Sequence, residues 1–200
     1  MVIRKNLKSN ALISVYDKSN LKKLCLTLTK YNIGLISTGA TAKKLISLGF
    51  KCEEISNLTK FKEILDGRVK TLNPKIHASI LFNRNNSDHK KIFKKLNFPK
   101  IDFVIVNFYP FSKISNKEEP SKKIDMIDIG GPSMIRSASK NFESVTTICA
   151  KKYYDHLINE LEKNNGETTM NFRRQMAKQN YKLTSDYDLS IFKWFDKKNN

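Results

Sequence analysis

The sequence predicts an α/β protein, a doubly wound and mainly parallel sheet followed by C-terminal helices. Three observations carry that prediction. Short apolar runs at 11–15, 34–37, 102–111 and 144–150 alternate with segments of helical spacing, as a parallel sheet with crossover helices requires. Two of those runs end in turns of small and hydroxylated residues that open helices. The run DFVIVNFYPF (102–111) is nearly continuous in apolar residues, the pattern of a strand covered on both faces.

Each element follows from its local pattern. ALISV (11–15) is the first strand; Asp17-Lys18-Ser19 then makes a capped turn, and Leu21, Leu24, Cys25 and Leu28 share one helix face. GLIS (34–37) repeats the move into Thr38-Gly39-Ala40-Thr41, with a helix through Ala42, Leu45 and Ile46 that ends at Gly49. Cys52 to Ile55 is a short third strand, IHASILF (76–82) reads as another, and FKKLNF (93–98) closes a lysine-rich helix. After the strong strand at 102–111, the polar segment SKISNKEEPSKK (112–123) reads as a loop or exposed connection. IDIGGPSMIRSASKN (127–141) is a Gly-Gly-Pro break followed by helical spacing, and SVTTICA (144–150) is the last strand. From Tyr153 the chain is helical, divided by Asn164-Asn165-Gly166. With no internal repeat, the expectation is one domain over 1–200 with a helical extension from about 153.

Composition narrows the function classes. A chain of 200 residues with 40% hydrophobic and 28% charged residues has an ordinary globular balance. The net charge of +18 is compatible with a polyanion partner. However, the lysines are scattered in pairs such as Lys22-Lys23, Lys43-Lys44 and Lys151-Lys152, without an aromatic-basic platform, which argues against nucleic-acid binding. Cys25, Cys52 and Cys149 are odd in number and far apart, and His77, His89 and His156 lack ligand spacing, so neither disulfides nor a metal site are expected. No apolar run approaches membrane-spanning length and MVIRKNLKSN has no apolar leader core, so a cytoplasmic protein with no membrane partner is expected.

In a parallel sheet, ligands bind beyond the carboxyl ends of the strands, where three motifs fall. STGAT (37–41) joins small residues and the hydroxyls of Ser37, Thr38 and Thr41 to a helix N-terminus, which suits a phosphate but also a plain N-cap turn. SVYDKS (14–19) adds Ser14 and Lys18, although Asp-Lys-Ser is equally an ordinary cap. NFYPF (107–111) ends the strongest strand with Asn107 and Tyr109, a position where a tyrosine is commonly a core residue. Two further segments are unusual. GRVKTLNPKIHASIL (67–81) gathers Arg68, Lys70, Thr71, Asn73, Lys75 and His77, either a solvated basic loop or a cluster of donors for an anion. Asp128 stands beside Gly130-Gly131, where backbone N–H groups become accessible.

In this order, SVYDKSNL, STGATAKKL, GRVKTLNPKIHASIL, NFYPF and IDIGGPSMIRSASKN resemble the IMP cyclohydrolase domain of the bifunctional purine-biosynthesis family, over roughly residues 8–195. The resemblance implies a methylglyoxal-synthase-like α/β fold. It also implies closure of FAICAR, a formamido imidazole-carboxamide ribonucleotide, to IMP plus water in the last step of de novo purine synthesis. Neither cofactor nor metal is implied, and a homodimer is the expected assembly. By motif, Lys70 and Lys140 would polarise or protonate the formyl oxygen, with Lys70 a base if Arg68 lowers its proton affinity. Asp128 would accept from the carboxamide or orient a lysine, and Tyr109 and Asn107 would line the imidazole and formyl side. Ser14, Lys18, Thr38, Gly39, Ala40 and Thr41 would hold the 5′-phosphate; Arg68, Thr71 and Gly130 complete the substrate set.

The sequence departs from the family at several points. Ala40 stands where the family has a second glycine, which would strain a position needing positive φ. Asn73 stands where it has a histidine, removing any titrating group there, and Ser137 and Ser139 replace alanines. The family's larger C-terminal domain carries AICAR formyltransferase activity, and no residues for it follow Asn200, so a separate formyltransferase is a candidate partner. Two other functions are compatible with parts of the pattern. A non-catalytic purine-nucleotide-binding module of the same fold would have no need for GRVKTL and R-x-x-x-K-N together. A triose-phosphate lyase of the methylglyoxal synthase type would need a Ser-Gly-Pro segment and a Gly-Gly-Asp that are absent.

Overall fold

The computed structural model describes residues 9–113 and 119–198. The elements are β1 (Ser9–Val15), α1 (Leu21–Lys30), β2 (Ile33–Ser37), α2 (Gly39–Ser47), β3 (Cys52–Glu54), α3 (Ile55–Thr59), α4 (Pro74–Leu81), α5 (Ser87–Leu96), β4 (Phe103–Asn107), α6 (Pro120–Asp125), α7 (Gly130–Lys140), β5 (Thr146–Ile148), α8 (Tyr154–Lys163) and α9 (Met170–Lys198). The five strands form one sheet in the order β3-β2-β1-β4-β5, and every pairing is parallel. The chain winds outward from β1 to β3, then restarts on the other side of β1 with β4. That reversal opens a crevice at the carboxyl ends of β1 and β4, where Val15 is in register with Asn107.

Both faces of the sheet are covered, which explains the apolar runs. Along β4, Phe103 and Ile105 enter one core with β1, β2 and the apolar faces of α1 and α8. Val104 and Val106 enter the other, with Ile76 and Ile80 of α4 and Met134, Ile135 and Ala138 of α7. Residues 103–106 are all buried, so the strand alternates between two cores rather than between core and water. Helix α2 ends in a Schellman arrangement: Gly49 has φ +86°, its N–H bonds Ile46 O, and the Phe50 N–H bonds Leu45 O. Ile46 faces solvent, and the buried residues of α2 are Thr41, Ala42 and Leu45.

Two segments differ from the sequence reading. IHASILF is helix α4 rather than a strand. Asn73 is its N-cap, with a side chain that accepts from the Lys75 N–H at 2.9 Å, and Pro74 occupies the first helical position. Ile76 and Ile80, four apart, then point into one core. Asn73, standing in place of a histidine, is therefore a cap. Within SKISNKEEPSKK, residues 120–123 belong to helix α6, started by Pro120, while residues 114–118 lie outside the described residues. The leader-region reading of MVIRKNLKSN also falls largely outside them.

Removing the cap isolates its contribution. Asn73→Ala is expected to lower unfolding free energy by ~1 kcal/mol in urea denaturation, whereas Asn73→Asp, which caps as well, stays within a few tenths.

Candidate active site

The crevice at the β1–β4 switch point is a cleft of about 540 Å³. Of the residues singled out in the sequence, Ser14, Lys18, Thr38, Ala40, Thr41, Arg68, Lys70, Thr71, Asn107, Tyr109, Asp128 and Gly130 line it. Gly39 lies on an adjoining hollow that shares Lys70.

One end is built from the β1 and β2 turns. The hydroxyls of STGAT have distinct duties. Ser37 is fully buried and donates to Ile13 O at 2.6 Å. Thr41 donates to Val15 O at 3.1 Å and accepts from the Val15 N–H at 3.2 Å. These two fasten α2 to β1, so neither is a free ligand donor. Thr38 is the N-cap residue of α2 but makes no side-chain cap bond; its hydroxyl meets Ser14 Oγ at 3.0 Å on the cleft wall. Gly39 and Ala40 are the first helical residues, whose N–H groups no preceding turn can satisfy. A phosphate would therefore meet two free N–H groups, a helix dipole, and the hydroxyl pair Ser14–Thr38. Ala40 is not among the positive-φ residues, so its methyl causes no strain; Gly39, with φ +38°, occupies the demanding position.

Asn107 is a clamp more than a ligand group. Its side-chain oxygen accepts from the N–H groups of Tyr16 at 2.7 Å and Asp17 at 2.9 Å, and its amide donates to Asp17 O at 3.1 Å. This ties the end of β4 to the turn carrying Lys18. Asp17 closes that turn through Ser19 and pairs with Lys151 at 2.9 Å, contacts that hold its carboxyl well below the usual range.

The cationic side comes from GRVKTL. Arg68 pairs with Asp125 at the end of α6, and Lys70 pairs with Glu63. The sequence does not single out either carboxylate, because neither pair has a helix or strand spacing that would mark it. Lys70 therefore has a carboxylate as its ion-pair partner in the cleft. Its Nζ would lie 2.9 Å from a Cβ at Gly39, so a side chain there would push the lysine end aside; the stronger demand for glycine is the backbone, at φ +38°. Thr71 is buried and lies against Gly130. His77 is not among the cleft-lining residues: it lies in α4, its Nδ1 is 2.9 Å from Ser137 Oγ on α7, and burial lowers its proton affinity.

Asp128 closes the cleft opposite. Its Oδ1 accepts from the Gly131 N–H at 2.8 Å, and the Tyr109 N–H also reaches the carboxylate. Burial nevertheless dominates and pushes this carboxyl above the ordinary aspartate range. A Cβ on Gly131 would sit 2.5 Å from Oδ2, so the second glycine makes room for the carboxylate. Tyr109 is 41% exposed and stacks edge-on to Tyr16 with ring centroids 5.4 Å apart, so it is a cleft residue and not a core one. Lys140 is not brought to the cleft by this chain. It is exposed at the far end of the 11-residue helix α7, roughly 15 Å along the axis from Gly130. The arrangement as a whole can hold a phosphorylated ligand at one end and present an ammonium donor and a desolvated carboxylate at the other.

Comparisons with known proteins agree with this geometry. Residues 20–133 match the MGS-like domain, and residues 138–200 match the AICARFT/IMPCHase bienzyme family. The chain is 40% identical over 190 residues to the bifunctional purine biosynthesis protein PurH of Bradyrhizobium diazoefficiens, covering 94% of this chain and 36% of that protein. It is 44% identical over 191 residues to the PurH of Caldicellulosiruptor bescii, covering 94% and 37%. It thus spans little more than a third of the curated relatives it matches. The crystal structure of ForH superposes with a TM-score of 0.85 at 28% identity, covering 94% of this chain and 97% of that one.

Gly39→Ala places a methyl at φ +38° and against Lys70 Nζ. It is expected to lower unfolding free energy by about 1–2 kcal/mol in chemical denaturation. Ala40→Gly, on an unstrained residue, should not stabilise.

Proposed function

The chain belongs to the MGS-like domain family, and from that premise we propose that it is an IMP cyclohydrolase acting on FAICAR. The observation that carries this reading is the meeting of Lys70, Asp128 and Tyr109 with the phosphate-compatible turn of α2 in one cleft. The match of residues 138–200 to a bienzyme that includes IMP cyclohydrolase supports it, as do the PurH relatives.

The residues fit the chemistry. The 5′-phosphate rests on the Gly39 and Ala40 N–H groups, with Ser14, Thr38 and Lys18 beside it. The carboxamide nitrogen attacks the formyl carbon, forming the N–C bond of the six-membered ring. An amide nitrogen is a poor nucleophile, and the Asp128 carboxylate, short of water, accepts its proton. The formyl oxygen gains negative charge, and the Lys70 ammonium donates to it. That oxygen then leaves as water, taking a further proton from the ring nitrogen of the original formamido group. Tyr109, at the cleft wall, serves the same proton traffic. Arg68 and Thr71 grip the nucleotide. Lys140 enters this scheme through a homodimer in which the α7 end of a second copy meets the cleft. The reading places the enzyme in the cytoplasm, and among the described residues no helix is long and apolar enough to cross a membrane.

Purified protein incubated with FAICAR, without metal or folate, should generate the purine absorbance of IMP; tight IMP binding without turnover would instead identify a non-catalytic nucleotide module. Lys70→Ala is expected to lose cyclisation by about 10²–10³-fold while folding normally. Lys140→Ala should also lose orders of magnitude, and parental activity in that variant would exclude Lys140 from the mechanism. Because burial raises the Asp128 carboxyl, its ionised form is lost as pH falls through a midpoint above the ordinary aspartate range. The acidic limb of kcat should fall at that elevated midpoint. A limb at the ordinary value would mean that another group governs it.

A further inference from the structure

We infer that Tyr187 is a positioning residue for the Asp128 carboxylate. This rests on the cyclohydrolase reading for its catalytic consequence, but its structural basis is independent. Tyr187 lies on α9, far along the chain from every motif that marks the cleft. Its hydroxyl accepts from the Asp128 N–H at 2.8 Å and donates to the Met126 carbonyl at 3.1 Å. One phenol oxygen thus holds both ends of the segment Met126–Ile127–Asp128, which leads into α7.

The geometry separates the hydroxyl's task from the ring's. The ring packs on Phe108 and Phe111, with centroids 5.1 Å and 6.4 Å away. Phenylalanine would make those contacts equally well. The hydroxyl adds only the two backbone bonds, and burial pushes its pKa up to about 12, so it carries its proton at neutral pH and can donate and accept together. Asp128 is consequently pinned from two sides. Gly131 and Tyr109 hold the carboxylate from the cleft side, and Tyr187 holds the backbone from behind. The rear anchor sits on a helix packed against α7 and β5, not on a loop. It also links the two regions matched by different families, because Asp128 falls in 20–133 and Tyr187 in 138–200.

The test is Tyr187→Phe, which keeps the ring. Its kcat for FAICAR should fall about 10- to 100-fold, as small displacements of a reacting group do, with KM within threefold of the parent. Thr184→Ala, a buried change on α9 whose hydroxyl bonds Tyr181 O and which is not among the cleft-lining residues, controls for loss of stability and should keep kcat within twofold. A second readout needs no substrate. The Asp128 carboxyl, followed by carbon NMR during pH titration, should shift its midpoint in Tyr187→Phe toward the ordinary aspartate value as water enters the loosened turn. If the parent protein fails to cyclise FAICAR, the functional reading fails and the titration alone decides this inference. An Asp128 midpoint equal in parent and variant, or kcat within twofold of an active parent, overturns it.

Discussion

A carboxylate held out of bulk water sets the terms for the rest of this cleft. Asp128 is buried enough to raise its proton affinity, yet it is met by the N–H groups of Gly131 and Tyr109. A buried charge without such donors would cost several kcal/mol. The protein must therefore deliver two backbone donors to one point. Gly131 supplies one because a side chain there would collide with the carboxylate, and the loop after β4 supplies the other. The second glycine at the start of α7 follows from that need.

The cations opposite are held more loosely. Arg68–Asp125 and Lys70–Glu63 are ion pairs whose carboxylates are 60% and 52% exposed. Such pairs contribute about 0–1 kcal/mol, whereas a charge-assisted hydrogen bond in a dry site contributes ~1.5–3 kcal/mol. Under the proposed function, a bound ligand that hydrogen-bonds Lys70 or Arg68 would have to displace only these weak pairs. In the ligand-free cleft the two carboxylates keep both cations oriented and compensated. The backbone donors of Gly131 and Tyr109 fix Asp128, while the cations rest on exposed side-chain pairs.

Much of the fold was legible because burial on both faces writes continuous apolar runs, as in 11–15 and 103–106. Helix α4 was misread because a short apolar run does not by itself distinguish strand from helix. Its actual signal was Asn73-Pro74, a cap followed by a helix-starting proline. In the site, STGAT contributes Thr38, Ala40 and Thr41 to the cleft wall, but the division of labour among its hydroxyls depends on distances across to β1 that no spacing encodes. Glu63, Asp125 and Tyr187 were invisible for the same reason. Each reaches its partner from a different element, and Tyr187 sits in an otherwise ordinary helical stretch.

Under the proposed function, one cleft holds a purine nucleotide with its phosphate on the α2 turn and its reacting edge between Lys70 and Asp128. A crystal structure with IMP bound tests it most directly. The phosphate should lie on the Gly39 and Ala40 N–H groups beside Ser14 and Thr38, with the purine against Tyr109 and Asp128 and the Lys70–Glu63 pair opened. IMP bound elsewhere, or in this cleft with its phosphate at the Asp128 end, would contradict it.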